Sequence, residues 1–253
     1  MKKQIALFLA VLLSLTLTAC SSTGEGAQTT APSSSQASQP SESVSESGEP
    51  VISDSADGAT AELESEQTNS RMLVVYFTYA ENAALAEDVD VSSSASIQRQ
   101  NGTLAGNTGL VASMIAETAG ADLFSLHTVE QYPDTYSATV DQGQQERTDG
   151  VRPELTDLPE NLADYDVIFL GYPSWWSDMP MAVYSFLDAV DLSGKTIAPF
   201  VTSGGSGLAG TVGTIEELEP GSVVQSGLAI RDSDAAGAQE QVNAWLTELG
   251  YLN

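Results

Sequence analysis

The sequence predicts an α/β domain whose parallel sheet is buried on both faces. Two patterns carry that prediction. Short unbroken apolar runs recur, at Leu73 to Phe77, Val167 to Leu170 and Ile197 to Val201. Runs that short and that bare of polar residues suit strands covered on both sides. Segments of helical period fall between them, and strands alternating with helices imply right-handed crossovers and parallel pairing. The chain is organised around Tyr165 to Asp178. There Val167 to Leu170 reads as a buried strand. Gly171 lets the backbone leave it, and Pro173 removes a donor and stops the sheet. Trp175 and Trp176 follow in a loop, and Met179-Pro180 opens a helix. Ligands of open α/β sheets bind beyond the carboxyl ends of the strands, so this aromatic loop is where a flat ligand is expected.

The remaining elements follow in order. Met72 starts the folded domain, and Leu73 to Thr78 is its first strand. The first helix comes late, from Gly106 to Ala119, with Leu110, Val111, Met114 and Ile115 at helical spacing and Gly120 as its stop. Between them Tyr79 to Ala105 is an insertion of about 25 residues, where such connections usually take roughly 2 to 6. Leu123 to Val129 is a second strand, and a polar helix runs from Tyr136 to near Arg147. Thr148 to Leu162 is loop. Pro180 to Val190 is helical, with Val183, Phe186, Leu187 and Val190 inward. Thr196 to Thr202 is a fourth strand, closed by the glycine-rich Ser203 to Gly207. A short helix spans Thr211 to Leu218, a fifth strand Ser222 to Ile230, and a last helix Asp234 to Leu249.

Composition excludes several functions. Eight Lys and Arg stand against 35 Asp and Glu, a net charge of -27, so nothing could replace the counterions of nucleic acid. One Cys and one His rule out disulfides and Cys/His metal clusters. The single His127 lies in a strand, which sets aside a Ser-His-Asp triad.

Residues 1–19 form a targeting segment: Lys2 and Lys3, then the apolar Ile5 to Leu17, too short for a mature span. Leu17-Thr-Ala-Cys20 resembles a bacterial lipoprotein signal, which implies cleavage before Cys20 and lipid on that residue. Residues 20–70 are rich in Ser, Thr, Gln, Ala, Gly and Pro. A segment so poor in large apolar residues is expected to be a flexible tether, with a root-mean-square span on the order of 40 Å. Asp54 to Thr60 loosely resembles a covalent flavin-attachment sequence, but Asp57 stands where that motif has Ser or Thr. Residues 71–253 are the folded domain.

Three loops leave the ends of the first, third and fourth strands. Gly106-Asn-Thr108 at a helix start offers backbone N–H groups and hydroxyls to an anion without any Lys or Arg. Pro173 to Trp176 offers aromatic walls, and Thr202 to Gly207 offers close backbone approach. In this order Val75-Tyr-Phe-Thr78, Gly106-Asn-Thr108, Asp166 to Trp176 and Thr202-Ser-Gly-Gly-Ser-Gly207 resemble the flavodoxin-like family, over about residues 72–253. The resemblance implies a three-layer sandwich around a five-stranded parallel sheet of order 2-1-3-4-5, with FMN held non-covalently; flavodoxin is itself the standard example of FMN at the switch point of such a sheet. It implies Thr78, Asn107 and Thr108 at the phosphate. It places Pro173, Trp175 and Trp176 against the isoalloxazine ring, and Thr202, Ser203, Gly204 and Gly205 at its polar edge. The insertion departs from the family, and leaves Tyr79, Ala80 or Asn82 as further phosphate ligands. Three functions stay open: electron transfer at the outer face of a bacterial membrane with an unidentified redox partner, FMN-dependent reduction of quinones or similar small acceptors, or a non-enzymatic binding lipoprotein with a vestigial flavin site.

Overall fold

In the computed structural model, residues 70–89 and 96–252 are described. The targeting segment, Cys20, nearly all of the tether and the Asp54 to Thr60 string lie outside them. The strands are β1 (Met72–Phe77), β2 (Ile97–Gln100), β3 (Thr103–Gly106), β4 (Asp122–Leu126), β5 (Val167–Pro173), β6 (Thr196–Ser203), β7 (Val223–Val224) and β8 (Leu228–Arg231). The helices are α1 (Asn107–Ala119), α2 (Tyr136–Asp149), α3 (Met181–Ala189), α4 (Thr211–Leu218) and α5 (Gln239–Glu248).

The main sheet runs β4-β1-β5-β6, with β7 and β8 both on the outer edge of β6. Every pairing in it is parallel. Alternate residues of β1 point to opposite faces: Leu73, Val75 and Phe77 join a core that includes Val183, Phe186 and Ile215 of α3 and α4. Val74 and Tyr76 join one that includes Val111 and Ile115 of α1 and Val242 and Leu246 of α5. Helices on both faces explain why the strands read as unbroken apolar runs. This is the three-layer flavodoxin-like sandwich, with the expected order.

Five details differ from the sequence reading. The second strand ends at Leu126 and not Val129, so His127 lies just beyond β4 and not within it. β5 does not stop at Gly171 but continues through Pro173, which pairs with Thr202. Gly171 serves instead to admit a neighbour: a Cβ there would lie 2.1 Å from the ring of Phe200 on β6. The fifth strand is split, because Gln225 to Gly227 leaves the ladder between β7 and β8. The last helix starts later, after a 3-10 segment at Asp232–Gly237. The insertion is not irregular throughout: β2 and β3 form an antiparallel hairpin. Its turn is Asn101–Gly102, both at positive φ, the combination that matches the twist of a two-residue hairpin.

α2 is polar, and few of its residues are buried. Gly150 at φ +67 ends it, its N–H bonded to the Glu146 carbonyl. Gly120 ends α1 in the same way, at φ +68.

Candidate functional site

The carboxyl ends of β1, β5 and β6 converge, and their loops build the site. Thr78 leaves β1 in extended conformation and is 1% exposed. Its Oγ1 is, among the described residues, the one buried side-chain polar atom without a hydrogen-bond partner. Leaving such a group unmatched costs about 1–3 kcal/mol. Opposite it Gly106 ends β3 and immediately precedes α1. A Cβ on Gly106 would fall 1.8 Å from that oxygen, so only glycine lets the helix start abut the strand end. Asn107 and Thr108 are buried at 2% and 1%. No side chain caps α1 and no acid lies within its first turn. The Asn107 N–H is donated to the Ser96 carbonyl at 2.9 Å; beyond it the first turn presents N–H groups and positive dipole beside an unsatisfied hydroxyl.

Two further contacts lock this end. Thr108 Oγ1 and Thr202 Oγ1 are hydrogen-bonded at 2.8 Å, joining α1 to β6. Asn107 Oδ1 accepts a bond from Gln98 Nε2 of β2 at 2.6 Å, and Asp232 also hydrogen-bonds the Asn107 side chain. Asn82 is a strut rather than a ligand. Its Nδ2 donates to the carbonyls of Thr78 and Leu126, and its Oδ1 accepts from the N–H and hydroxyl of Thr128. Tyr79 Oη donates to the Pro133 carbonyl at 2.6 Å; burial pushes this phenol's pKa upward.

The aromatic loop is a tight reversal. Trp175 and Asp178 exchange backbone hydrogen bonds of 2.9 and 3.0 Å. The two residues between them, Trp176 and Ser177, stand at φ +52 and +61. Left-handed conformation at a non-glycine residue costs about 1–2 kcal/mol, and here two in succession adopt it. Asp178 anchors the reversal: its Oδ1 accepts from the Met179 N–H and the Tyr184 hydroxyl, both at 2.8 Å. Arg147 of α2 lies 3.4 Å from its Oδ2.

The two tryptophans take different places. Trp175 meets Phe77 and Tyr132 edge-on, at centroid distances of 5.7 and 5.3 Å. Trp176 is 37% exposed. Both rest on α2 where Gly143 offers no side chain; a Cβ there would sit 3.1 Å from each ring. Together with Tyr79, Ser96, Tyr136, Thr139, Val140 and Ser174 they line a cleft of about 270 Å³ with no charged side chain in its walls.

The β6 loop closes the arrangement. Ser203 Oγ accepts the Gly207 N–H at 3.0 Å. Gly205 stands at φ +149, beside the guanidinium of Arg231. Ser206 Oγ donates to Ser174 Oγ at 2.7 Å, and the Ser174 N–H donates to the Thr202 carbonyl at 2.8 Å. The structure thus joins Thr78, Asn107, Thr108 and Thr202 at one end. Pro173 runs beside Thr202, and Ser203 shapes the loop of Gly204 and Gly205. Trp175 and Trp176 face the cleft on the α2 side, whose lining includes none of Asn107, Thr108 or Thr202 to Gly205.

Several participants carry no clear sequence signal. Tyr136, Thr139 and Val140 belong to a helix that looks merely solvated, and Ser96 lies in the insertion. Asp232 is one acid among 35; only the fold brings its carboxyl within 3.7 Å of the Cβ position of Gly204.

A family model described as flavodoxin matches residues 102–249, more than half of the chain. Among curated proteins no sequence matches. Solved structures do. A candidate flavoprotein from Bacteroides eggerthii is 24% identical, with a TM-score of 0.56, over 72% of this chain and 98% of that one. Another from Bacteroides uniformis is 24% identical at a TM-score of 0.54, over 70% and 98%. A Lactobacillus acidophilus flavoprotein solved in complex with FMN aligns less closely, at 19% identity and a TM-score of 0.47, over 68% and 99%. The structural likeness to the two Bacteroides proteins speaks for the fold. The sequence match goes further, and by it the chain belongs to the flavodoxin family.

Proposed function

We propose that this chain binds FMN and passes electrons at the outer face of a bacterial membrane. The observation that carries the reading is the unpartnered Thr78 hydroxyl, 1% exposed and set against the uncapped start of α1. A phosphate oxygen there would satisfy it, and the residues present fit that group. Thr78, Thr108 and the N–H groups of the first turn of α1 beyond Asn107 would hold the phosphate, with Asn107, whose own N–H is donated to the Ser96 carbonyl at 2.9 Å, ordering the helix start. Trp176, exposed and held by a strained turn, would cover the ring. Bound FMN supplies one- and two-electron transfer. The chain's own part is to orient the ligand and to keep water from its phosphate end. Backbone strain of this kind is maintained where surrounding contacts over-determine it, often at functional sites.

FMN rather than FAD is supported by a single helix N-terminus with hydroxyls and no second glycine-rich turn for a pyrophosphate. The location is supported by Lys2, Lys3, the apolar Ile5 to Leu17 and the sole cysteine at Cys20. A lipid on Cys20 would tether the domain to the membrane, with a redox protein or small acceptor as partner.

A second reading, reduction of quinones or similar small acceptors, is favoured by the cleft. Its walls are uncharged although the chain is strongly acidic, and they carry the exposed aromatic rings of Tyr136 and Trp176. Flavin titration of the purified chain tests the first claim. Turnover of a small quinone with a nicotinamide donor separates reductase from carrier.

A further inference from the structure

The start of α1 is flanked by two acids. On one side Glu81 Oε1 lies 3.2 Å from the Cβ position of Gly109. It is held there by the Tyr76 hydroxyl at 3.0 Å and the Ser125 hydroxyl. On the other side Asp232 hydrogen-bonds the Asn107 side chain and approaches Gly204. An incoming phosphate would therefore meet a helix dipole already facing negative charge. The two acids are not equivalent. Glu81 is exposed and has two hydroxyl donors. Asp232 is partly buried between α1, β6 and β8, with the amide of Asn107 as the partner that favours its ionised form.

We propose that Asp232 is a proton-linked gate on the anion site: ionised, it opposes a phosphate at the start of α1, and protonated, it admits one, so that FMN binding draws a proton onto this carboxyl. The inference rests on the FMN reading above. Burial pushes the Asp232 carboxyl up to about 6, against the lowering effect of Asn107, so the gate would work near neutral pH. A second negative charge nearby moves a carboxyl pKa upward again. Other charged groups are close. Arg231 precedes it and reaches toward Gly205. Asp234 follows on the same 3-10 segment, with its Oδ1 bonded to the Ser233 hydroxyl. Glu81 faces the opposite side of the α1 start.

The placement has a consequence for Asn107. Its side chain ties the inserted hairpin, through Gln98, and the segment after β8, through Asp232, to the same helix start. Protonating Asp232 leaves Asn107 in place, because a neutral carboxyl still hydrogen-bonds an amide. The gate then acts by charge and not by collapse of the helix start.

The test compares the full chain with its Asp232→Asn and Asp234→Asn variants, titrated with FMN and with riboflavin from pH 5 to 8. The FMN phosphate itself titrates near pH 6, so the wild-type profile alone does not decide. Riboflavin lacks the phosphate. The expected result is that Asp232→Asn tightens FMN roughly fivefold at pH 7.5, the weight of one partly solvated charge pair. The gain should shrink toward pH 5, be absent for riboflavin, and be absent in Asp234→Asn. Calorimetry of the unaltered chain in buffers of different ionisation enthalpy gives an independent reading. Net proton uptake with FMN near pH 6.5, and none with riboflavin, is expected; preference for the phosphate dianion alone would release protons instead. Equal FMN affinity of Asp232→Asn and wild type at pH 7.5, or net proton release, overturns the gate while leaving flavin binding intact. Failure of the wild-type chain to bind FMN at any pH overturns the FMN reading and the gate with it.

Discussion

Replacing Gly106 by alanine tests how the phosphate end is built. The glycine is at φ -79, which alanine tolerates, so the change acts by contact alone. Its Cβ would stand 1.8 Å from Thr78 Oγ1, 2.9 Å from Thr78 Cβ and 3.0 Å from Thr78 Cγ2. Thr78 is fully enclosed, so either its side chain or the start of α1 must move. Overpacking of this kind costs about 1–3 kcal/mol. For a domain of about 180 residues, 2 kcal/mol lowers the melting temperature by about 5 °C. Displacing the hydroxyl or the helix start should also weaken FMN by about tenfold or more, some 1.4 kcal/mol. Chemical denaturation and fluorescence titration measure the two effects. The double variant Gly106→Ala/Thr78→Ala removes the 1.8 Å overlap but keeps the 2.9 Å approach of the two Cβ atoms, so it should regain part of the stability but not the flavin affinity, which needs the hydroxyl. A Gly106→Ala chain as stable as wild type, and binding flavin as well, would refute the idea that this close approach forms the site.

Other changes probe the rest of the site. Ser177→Gly relieves one left-handed residue and should raise stability by about 1 kcal/mol; an unchanged or lower denaturation midpoint would contradict the strain. Trp175→Ala should cost about 2–4 kcal/mol, since that ring packs on Phe77 and Tyr132. Trp176→Ala should cost less than 1 kcal/mol yet loosen FMN and shift its midpoint potential, and a redox titration with both quantities unchanged would remove Trp176 from the ring site. The folded state holds the Asp232 proton up to about pH 6, above its unfolded range. Its contribution is thus full below about pH 4 and lost as pH rises to about 6, worth about 1 kcal/mol after allowance for solvent. Asp232→Asn should flatten that part of the stability profile. Cys20→Ser should release the protein from the membrane fraction or stall processing, and normal cleavage with retained membrane association would end the anchor proposal.

The strands and their parallel pairing were legible because both faces are buried, which makes each strand an apolar run and each crossover a helix; their order came only with the family resemblance. The loops that meet at the candidate site stood out for a related reason: Gly106, Pro173 and the glycines after Ser203 are punctuation at strand ends. What the sequence concealed was who meets whom. Gly171 reads as a chain exit, but its role is set by Phe200 on the neighbouring strand. Trp175 and Trp176 are adjacent and alike in sequence, yet one seals the α2 side of the core while the other is held out by a strained turn. The hairpin in the insertion is marked only by Asn101–Gly102. Ile97 to Gln100 and Thr103 to Gly106 are too short and too polar to show alternation. The role of α2 was hidden because Tyr136, Thr139 and Val140, which meet the cleft, and Gly143, which meets the tryptophans, stand alone in a polar helix with no repeating apolar face.

The most direct measurement is the cofactor itself. The purified full chain, titrated with FMN, FAD and riboflavin, should take up one equivalent of FMN with quenched flavin fluorescence. Riboflavin should bind more weakly by the worth of the phosphate contacts, and Thr108→Ala should cost FMN about 1–3 kcal/mol while leaving riboflavin unchanged. A chain that binds no flavin, or that prefers FAD, or whose FMN and riboflavin affinities are equal, would contradict the claim that Thr78 and the start of α1 form a phosphate site.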